Sequence, residues 1–150
     1  MHLFLVAQII MSMTINFQGT WHVNPDKSPN ADAGAPKIQI RQTADSIFID
    51  RTDMEGKSFS EHLSFDGKIF VSYTTSKRRK SGTAKWDNDD KSSFTETAVL
   101  GSPDKPDEVA FKVSEQWSIS PDGNELTENI TLTKTGGQPY NATVVYDKEK

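Results

Sequence analysis

The clearest pattern in the chain lies in the segment Ile15–Asn24. Apolar residues or glycine occupy every second position from Ile15 to Val23, and polar residues occupy the positions between them. Side chains of a β-strand point alternately to its two faces, so this pattern predicts a strand with one dry and one wet face. Such a strand at the start of a chain of similar strands indicates an antiparallel sheet that closes over a core.

The rest of the chain repeats this organisation, with turn signals at intervals of about ten residues. The Asp66-Gly67 pair is typical of a hairpin, because glycine accepts the positive φ that such turns need. No segment has a helical period of useful length. The strands predicted after the first are Lys37–Thr43, Ser46–Thr52, Ser58–Phe65, Ile69–Ser76, Thr83–Asp87, Ser92–Leu100, Glu108–Ser120, Glu125–Lys134 and Tyr140–Tyr146. Short connections favour a single antiparallel up-and-down β-barrel of about 8–10 strands, since closure removes the sheet edges.

Two segments between predicted strands have distinctive compositions. Pro25–Pro36, rich in Pro, Asn, Asp, Gly and Ala, is predicted as an ordered lid or an irregular loop at the mouth of the barrel. Lys77–Lys80 is a run of four basic residues, predicted to lie in a hairpin loop. That run is either a solvated loop or a contact for anionic lipid or for an acidic patch on a partner.

Composition narrows the class of protein. The chain of 150 residues carries a net charge of −4, which disfavours a nucleic-acid partner, and it has no cysteine for disulfides or thiolate chemistry. Residues 14–150 are expected to form one domain. Residues 1–13 form a separate apolar segment, and its stretch Leu3–Met11 is too short to span a bilayer. It is a signal remnant, an extension before a later start at Met11 or Met13, or a strand that packs; the first interpretation predicts a periplasmic or secreted protein.

Several motifs resemble those of lipocalin-like (calycin-type) barrels. The opening Phe17-x-Gly19-Thr20-Trp21, followed by Asn24, Lys27 and Ser28, is similar to that of mostly exported bacterial proteins which begin G-T-W-x-x-N-x-x-K-S. The segments Gly82–Asp87, Glu115–Thr127 and Val145–Lys148 extend the match. The resemblance implies a lipocalin-like or fatty-acid-binding-protein-like barrel in which Gly19 and Trp21 are structural residues. The chain lacks the long helix of true lipocalins and a clear helical pair after strand one. Most members of the bacterial group have no assigned activity.

Charged residues fall in the apolar rows of several predicted strands. Glu61, Glu96, Glu115 and Glu128 each share a row with aliphatic or aromatic residues, and Arg51 extends the row of Ile47 and Ile49. A buried carboxylate must be paired, hydrated or protonated. These residues therefore predict a polar, acidic-lined cavity, suited to a neutral or cationic amphiphile better than to a fatty-acid anion. Alternatively, β-bulges or strand ends place some of them on the rim or the surface.

Catalytic motifs are missing from the sequence. His2, His22 and His62 lack metal-ligand spacing, and no serine lies in a Gly-x-Ser-x-Gly elbow. Paired glutamates could serve a glycosidase, but the sequence does not define their separation. We therefore predict no enzymatic activity, no catalytic residue, no cofactor and no metal site.

The predicted function is non-enzymatic binding of a small apolar or amphipathic ligand inside the barrel. The alternatives are an interaction or structural module that acts through its loops and, less favoured, a lipocalin-like enzyme that uses the glutamates. The residues predicted to line the ligand site are Arg51, Phe59, Glu61, Phe65, Tyr73, Trp86, Phe94, Glu96, Phe111, Glu115, Trp117 and Glu128. The oligomeric state is not predicted.

Overall fold

A computed structural model describes residues 15–74 and 76–150. Ten antiparallel strands form one sheet in the order β4-β3-β2-β1-β10-β9-β8-β7-β6-β5. The strands are β1 (Gly19–Val23), β2 (Lys37–Gln42), β3 (Ser46–Thr52), β4 (Ser58–Ser64), β5 (Phe70–Tyr73), β6 (Arg79–Trp86), β7 (Ser93–Gly101), β8 (Val109–Ile119), β9 (Glu125–Lys134) and β10 (Pro139–Lys148). The first strand pairs with the last, so the sheet curls into an up-and-down barrel that is nearly closed. The two edge strands of the sheet, β4 and β5, lie next to each other without forming a ladder. The predicted fold class is confirmed.

Strand boundaries differ from the sequence-based prediction mainly at β6. This strand of eight residues begins at Arg79 and ends at Trp86, and it takes in half of the predicted basic loop. The inward row of β6 runs from Lys80 through Gly82 and Ala84 to Trp86. The prediction of Lys77–Lys80 as a loop is therefore wrong for its last two residues, because Lys80 continues the inward row and is buried.

The two ends of the barrel differ. One end, here called the mouth, carries the Pro25–Pro36 connector and the turns after β3, β5, β7 and β9. The connector contains one 3₁₀ turn, Ala31–Ala33. Its backbone pairs with the mouth half of β10, where Asn24 N donates to Val145 O at 2.8 Å and Asn30 N donates to Thr143 O at 3.2 Å. Ala33 and Ala35 then pack against the core, so the connector covers one side of the mouth.

The opposite end is filled by aromatic side chains. We call Phe17, Phe65, Trp86, Phe94 and Trp117 the aromatic plug. The Phe65 and Trp86 rings stack with their centroids 4.1 Å apart, and Phe94 stacks on Trp117 at 6.1 Å. Such contacts add to the stabilisation from apolar burial.

The opening motif contributes to the same end. Trp21 is fully buried and donates from Nε1 to the carbonyl of Phe17 at 3.0 Å. Gly19 has a φ of +145°, which side-chain-bearing residues rarely adopt. Both residues therefore contribute to the packing and the backbone geometry of β1.

The apolar segment 1–13 and its proposed role in export lie outside the described residues. Among the residues that are described, no helix is long and apolar enough to cross a bilayer.

Candidate functional site

Seven strands each send one charged or phenolic side chain into the middle of the barrel. We call this set the ion layer; its members are Arg51, Glu61, Lys80, Glu96, Glu115, Glu128 and Tyr146, from β3, β4, β6, β7, β8, β9 and β10. All seven are buried. The layer lies across the barrel between the aromatic plug and the mouth.

Arg51 is the hub of one half of the ion layer. Its Nε donates to Glu61 Oε2 at 2.8 Å, Nη1 to Glu128 Oε1 at 2.9 Å, and Nη2 to Glu115 Oε2 at 2.5 Å. The guanidinium carbon also lies 5.0 Å from the centroid of the Trp117 ring, which places the cation on the aromatic plug. The carboxylates raise the pKa of Arg51 against the opposing effect of burial. Arg51 is therefore a permanent cation with every nitrogen of its guanidinium group engaged.

Lys80 is the second hub. Its Nζ lies 2.5 Å from Glu61 Oε1, 2.6 Å from Glu96 Oε1 and 3.2 Å from Glu115 Oε1. Burial lowers the pKa of Lys80, but the surrounding carboxylates outweigh it and the net shift is upward. Oxygens of these three carboxyl groups lie within 4.8 Å of one another, a spacing that suits a metal ion. In this structure the ammonium of Lys80 fills the position between them.

The four carboxyl groups of the layer face only two cations, and their pKa values diverge accordingly. Burial raises the pKa of Glu96 well above its usual value. Burial also raises the pKa of Glu128. Despite burial, Arg51 and Lys80 hold the pKa of Glu115 at about 2. The raised pKa of Glu96 and the low pKa of Glu115 favour negative charge on Glu115, which has both Arg51 and Lys80 as partners.

Tyr146 closes the layer on the side of the connector. Its hydroxyl donates to Glu128 Oε2 at 2.8 Å, and burial raises its pKa well above the usual value. Gly34 of the connector lies directly over Tyr146 and Val144, so close that a Cβ at this position would overlap the Tyr146 hydroxyl. The connector is thus in contact with the ion layer itself.

Beyond the ion layer, towards the mouth, the inward-facing residues are apolar and only half-buried. We call these the mouth side chains: Phe59, Leu100, Phe111, Ile130 and Leu132. The guanidinium of Arg78 lies 5.3 Å above the Phe111 ring, and its Nη1 donates to the Gly101 carbonyl at 3.1 Å. A pocket of about 480 Å³ also opens at this end, between the connector and Met54 in the turn after β3; its other walls are Val23, Pro25, Ala31, Asp32, Gly34 and Pro36.

The predicted lining residues separate into four groups. Phe59 and Phe111 lie at the mouth, while Arg51 and the four glutamates lie in the ion layer. Phe65, Trp86, Phe94 and Trp117 belong to the aromatic plug at the far end. Tyr73 lies on the outer wall with 59% of its surface exposed, because Phe70 and Ser72 form the inward row of β5. The placement of Tyr73 in the lining is therefore a correction.

The predicted site omitted residues that the structure places at its centre or its mouth. Lys80 was assigned to a loop, although the spacing Lys80-x-Gly82-x-Ala84-x-Trp86 extends the inward row of β6. Tyr146 enters the prediction only as the last residue of the strand Tyr140–Tyr146. Ile130 and Leu132 follow Glu128 in the same row of β9, so their inward direction was available once Glu128 was assigned.

Comparison with known proteins supports the fold. No protein-family model matches the chain, and no curated protein matches it in sequence. Among solved structures, the zebrafish ileal bile acid-binding protein complexed with cholic acid matches with a TM-score of 0.59 at 15% sequence identity. The match covers 89% of this chain and 98% of that chain. At this level of identity the similarity establishes a shared barrel architecture.

Proposed function

We propose that this protein is a non-enzymatic carrier that binds a small apolar or amphipathic molecule at the mouth of its barrel. The observation that carries the proposal is the difference between the two ends of the interior. Three of the five plug residues, Phe17, Phe94 and Trp117, are completely buried and the other two are half-buried, whereas all five mouth side chains are half-buried although they face inward. Inward-facing apolar groups that remain accessible are typical of a ligand site.

The ion layer supports a particular orientation of the ligand. Arg51 and Lys80 are already engaged by four carboxyl groups, so an anionic head group in the interior would have to displace a glutamate from its cation. Such a displacement would leave a buried carboxylate unpaired, at a large cost in free energy. The inner end of the ligand is therefore apolar or neutral, and any charged end lies towards the mouth, where Arg78 is half-exposed.

The ion pairs of the buried glutamates favour ligand binding over catalysis. A general acid or base must reach the substrate, and an acid pair for glycoside hydrolysis must flank a cleft. Glu61, Glu115 and Glu128 are buried and each is bonded to Arg51. The structural neighbour is named as a bile acid-binding protein, and a binding role for this chain agrees with the shared architecture.

Native mass spectrometry of the protein purified from its own host without detergent is the first test. We expect a reproducible added mass that is lost on denaturation. A titration with defined probes, namely cholic acid, oleic acid and oleyl alcohol, then measures affinity. A bare mass together with no binding of any of the three probes would overturn the proposal.

Two matched variants locate the site. Phe111→Ala removes a mouth side chain, and Tyr73→Ala removes an aromatic ring from the outer wall. Loss of the apolar contact of one phenylalanine is expected to weaken binding by about tenfold or more in Phe111→Ala. Tyr73→Ala should bind as the wild type does. Equal effects of the two substitutions would show that the ligand is not held at the mouth.

A further inference from the structure

The outer wall of β5–β8 has an unusual distribution of charge. Its outward-facing strand positions hold three cations, Arg79, Lys85 and Lys112, and no aspartate or glutamate. One carboxylate, that of Asp87 directly after β6, also lies on this wall, at the end far from the mouth, where it accepts from Thr95 Oγ1 at 2.7 Å. The acidic residues of these strands, Glu96 and Glu115, both face inward. The whole chain has 21 acidic and 17 basic residues, so this wall departs in sign from the protein as a whole. We call it the basic outer wall.

Exposed apolar side chains form a stripe along the edge of this wall. Ile69, Val71 and Tyr73 alternate along β5 and its approach, and their exposed fractions are 72%, 48% and 59%. A strand rises by about 3.3 Å per residue, so the stripe is roughly 13 Å long. Large apolar groups at such exposure in consecutive outward positions indicate a surface that meets another apolar phase.

A groove lies next to the stripe and widens its apolar area. It has a volume of about 540 Å³, and its walls include Ile69, Ser81, Val99 and Lys112. The sheet register makes the stripe and the groove continuous, since Val71 pairs with Ser81, Ser81 with Val99, and Val99 with Lys112. The row therefore runs from the exposed edge strand across three further strands and ends on a cation.

Basic residues also terminate the stripe at the mouth end. Tyr73 pairs with Arg79 across the β5–β6 hairpin, and Lys77 lies exposed in the turn between them. Lys77 and Arg79 are the first and third residues of the basic run Lys77–Lys80. Of the other two, Lys80 belongs to the ion layer and Arg78 covers Phe111. The two residues that remain on the outside are thus beside the exposed tyrosine.

We propose that the basic outer wall docks on an anionic membrane surface. Peripheral sites combine apolar side chains that enter the headgroup boundary with cations that are attracted to anionic lipids, and tyrosine favours this interface. Segregation of charge lets a protein with a net charge of −4 present a face on which cations outnumber carboxylates to such a surface. This docking does not depend on the ligand proposed for the barrel interior.

Vesicle co-sedimentation tests the proposal. The full chain is mixed with vesicles of phosphatidylcholine alone or of phosphatidylcholine with an equal share of phosphatidylglycerol. We expect binding to the anionic vesicles only, with a partition coefficient that falls as salt is added. Wild-type protein that stays in the supernatant, or that binds both vesicles equally, would overturn the proposal and would leave an acidic protein surface as the alternative partner.

Variants assign the binding to this face. Lys77→Glu combined with Arg79→Glu should lower the partition coefficient at least about tenfold, and Val71→Ser combined with Tyr73→Ser should also lower it severalfold. Lys37→Glu changes an exposed lysine on β2, across the barrel, and Tyr140→Ser removes a similarly exposed tyrosine from β10. Both controls should bind as the wild type does. If they lose binding to the same extent, the attraction is not located on the basic outer wall.

Discussion

The ammonium nitrogen of Lys80 lies 2.6 Å from Oε1 of Glu96, and yet neither oxygen of that carboxyl group accepts a hydrogen bond of good geometry. Glu96 is fully buried and lies beside Glu115, which shares the same lysine. The two carboxyl groups differ in their pKa values, since burial raises the pKa of Glu96 and the cations hold the pKa of Glu115 at about 2.

We expect the Glu96→Gln variant to fold, and its stability relative to the wild type should increase as pH rises. A carboxyl group whose pKa is raised in the folded state gives its full stability below its unfolded pKa of 4.5 and loses it as pH rises through the folded value. Glutamine resembles the protonated carboxyl group and does not titrate, so the variant does not undergo this loss of stability. The Tm of the variant should equal or exceed that of the wild type at about pH 8, and should fall less between about pH 5 and 8.

Part of the loss should remain in the variant, because the pKa of Glu128 is raised as well. Glu55→Gln, in the exposed turn after β3, is the control for removing one negative charge and should leave the wild-type pH profile unchanged. A Tm for Glu96→Gln well below that of the wild type at high pH would mean that Glu96 is an ionised partner of Lys80.

The sequence was informative about the barrel because its strands alternate clearly and its turns carry glycine or Asp-Gly pairs. Glu125–Lys134 was predicted with the bounds that the structure shows, since Pro121–Gly123 and Gly136 mark both of its ends. At β5 the same reasoning failed for Tyr73. Ile69, Phe70 and Val71 are all apolar, so alternation alone does not define which row faces inward.

The candidate site was less predictable for a different physical reason. The row of each glutamate was evident from its own strand, but its partner lies on a strand far away in sequence; Arg51 and Glu128 are 77 residues apart. The sequence does not single out Lys80, because its neighbours Lys77, Arg78 and Arg79 are also basic. A run of basic residues is typical of a solvated loop. The pairing of β6 with its neighbours and the burial of Lys80 show that this lysine points into the barrel.

Lys80→Met should be strongly destabilising. The substitution leaves Glu61, Glu96 and Glu115 around an apolar side chain, and loss of one partner of a buried ion cluster typically costs about 3–5 kcal/mol. The loss in the free energy of unfolding, measured with urea, should shrink as pH falls and the carboxyl groups become protonated. Lys112→Met, on the outer face of β8, should change stability by less than about 0.5 kcal/mol.

Divalent cations provide a second measurement on the same variant. Because the three carboxyl groups converge within 4.8 Å, Ca²⁺ should raise the Tm of Lys80→Met while leaving that of the wild type unchanged. A Lys80→Met protein that is as stable as the wild type at neutral pH would contradict the assigned role of this lysine.

Tyr146→Phe isolates the hydrogen bond between the tyrosine hydroxyl and Glu128 Oε2. The ring remains in place, so the expected cost is the lost bond and the unsatisfied oxygen, about 1–3 kcal/mol in the free energy of unfolding. Tyr140→Phe, at an exposed position on the same strand, should have no measurable effect. Equal stabilities of the two variants would show that Glu128 does not need this donor.

Gly34→Ala tests whether the connector rests on the ion layer. Gly34 has a φ of −99°, which alanine adopts without strain. Because alanine has less conformational freedom than glycine in the unfolded chain, the substitution by itself should favour folding by about 0.4–1 kcal/mol. The added methyl group would nevertheless overlap the Tyr146 hydroxyl and the Val144 side chain. Overpacking of this kind costs about 1–3 kcal/mol, so we expect a net loss of stability in urea unfolding.

The double variant Gly34→Ala with Tyr146→Phe tests the contact itself. Removal of the hydroxyl relieves part of the overlap, so the losses of stability in the two single variants should sum to more than the loss in the double variant. Additive losses would mean that the connector and Tyr146 are energetically independent, and a Gly34→Ala protein that is more stable than the wild type would show that the connector does not press on the layer at all.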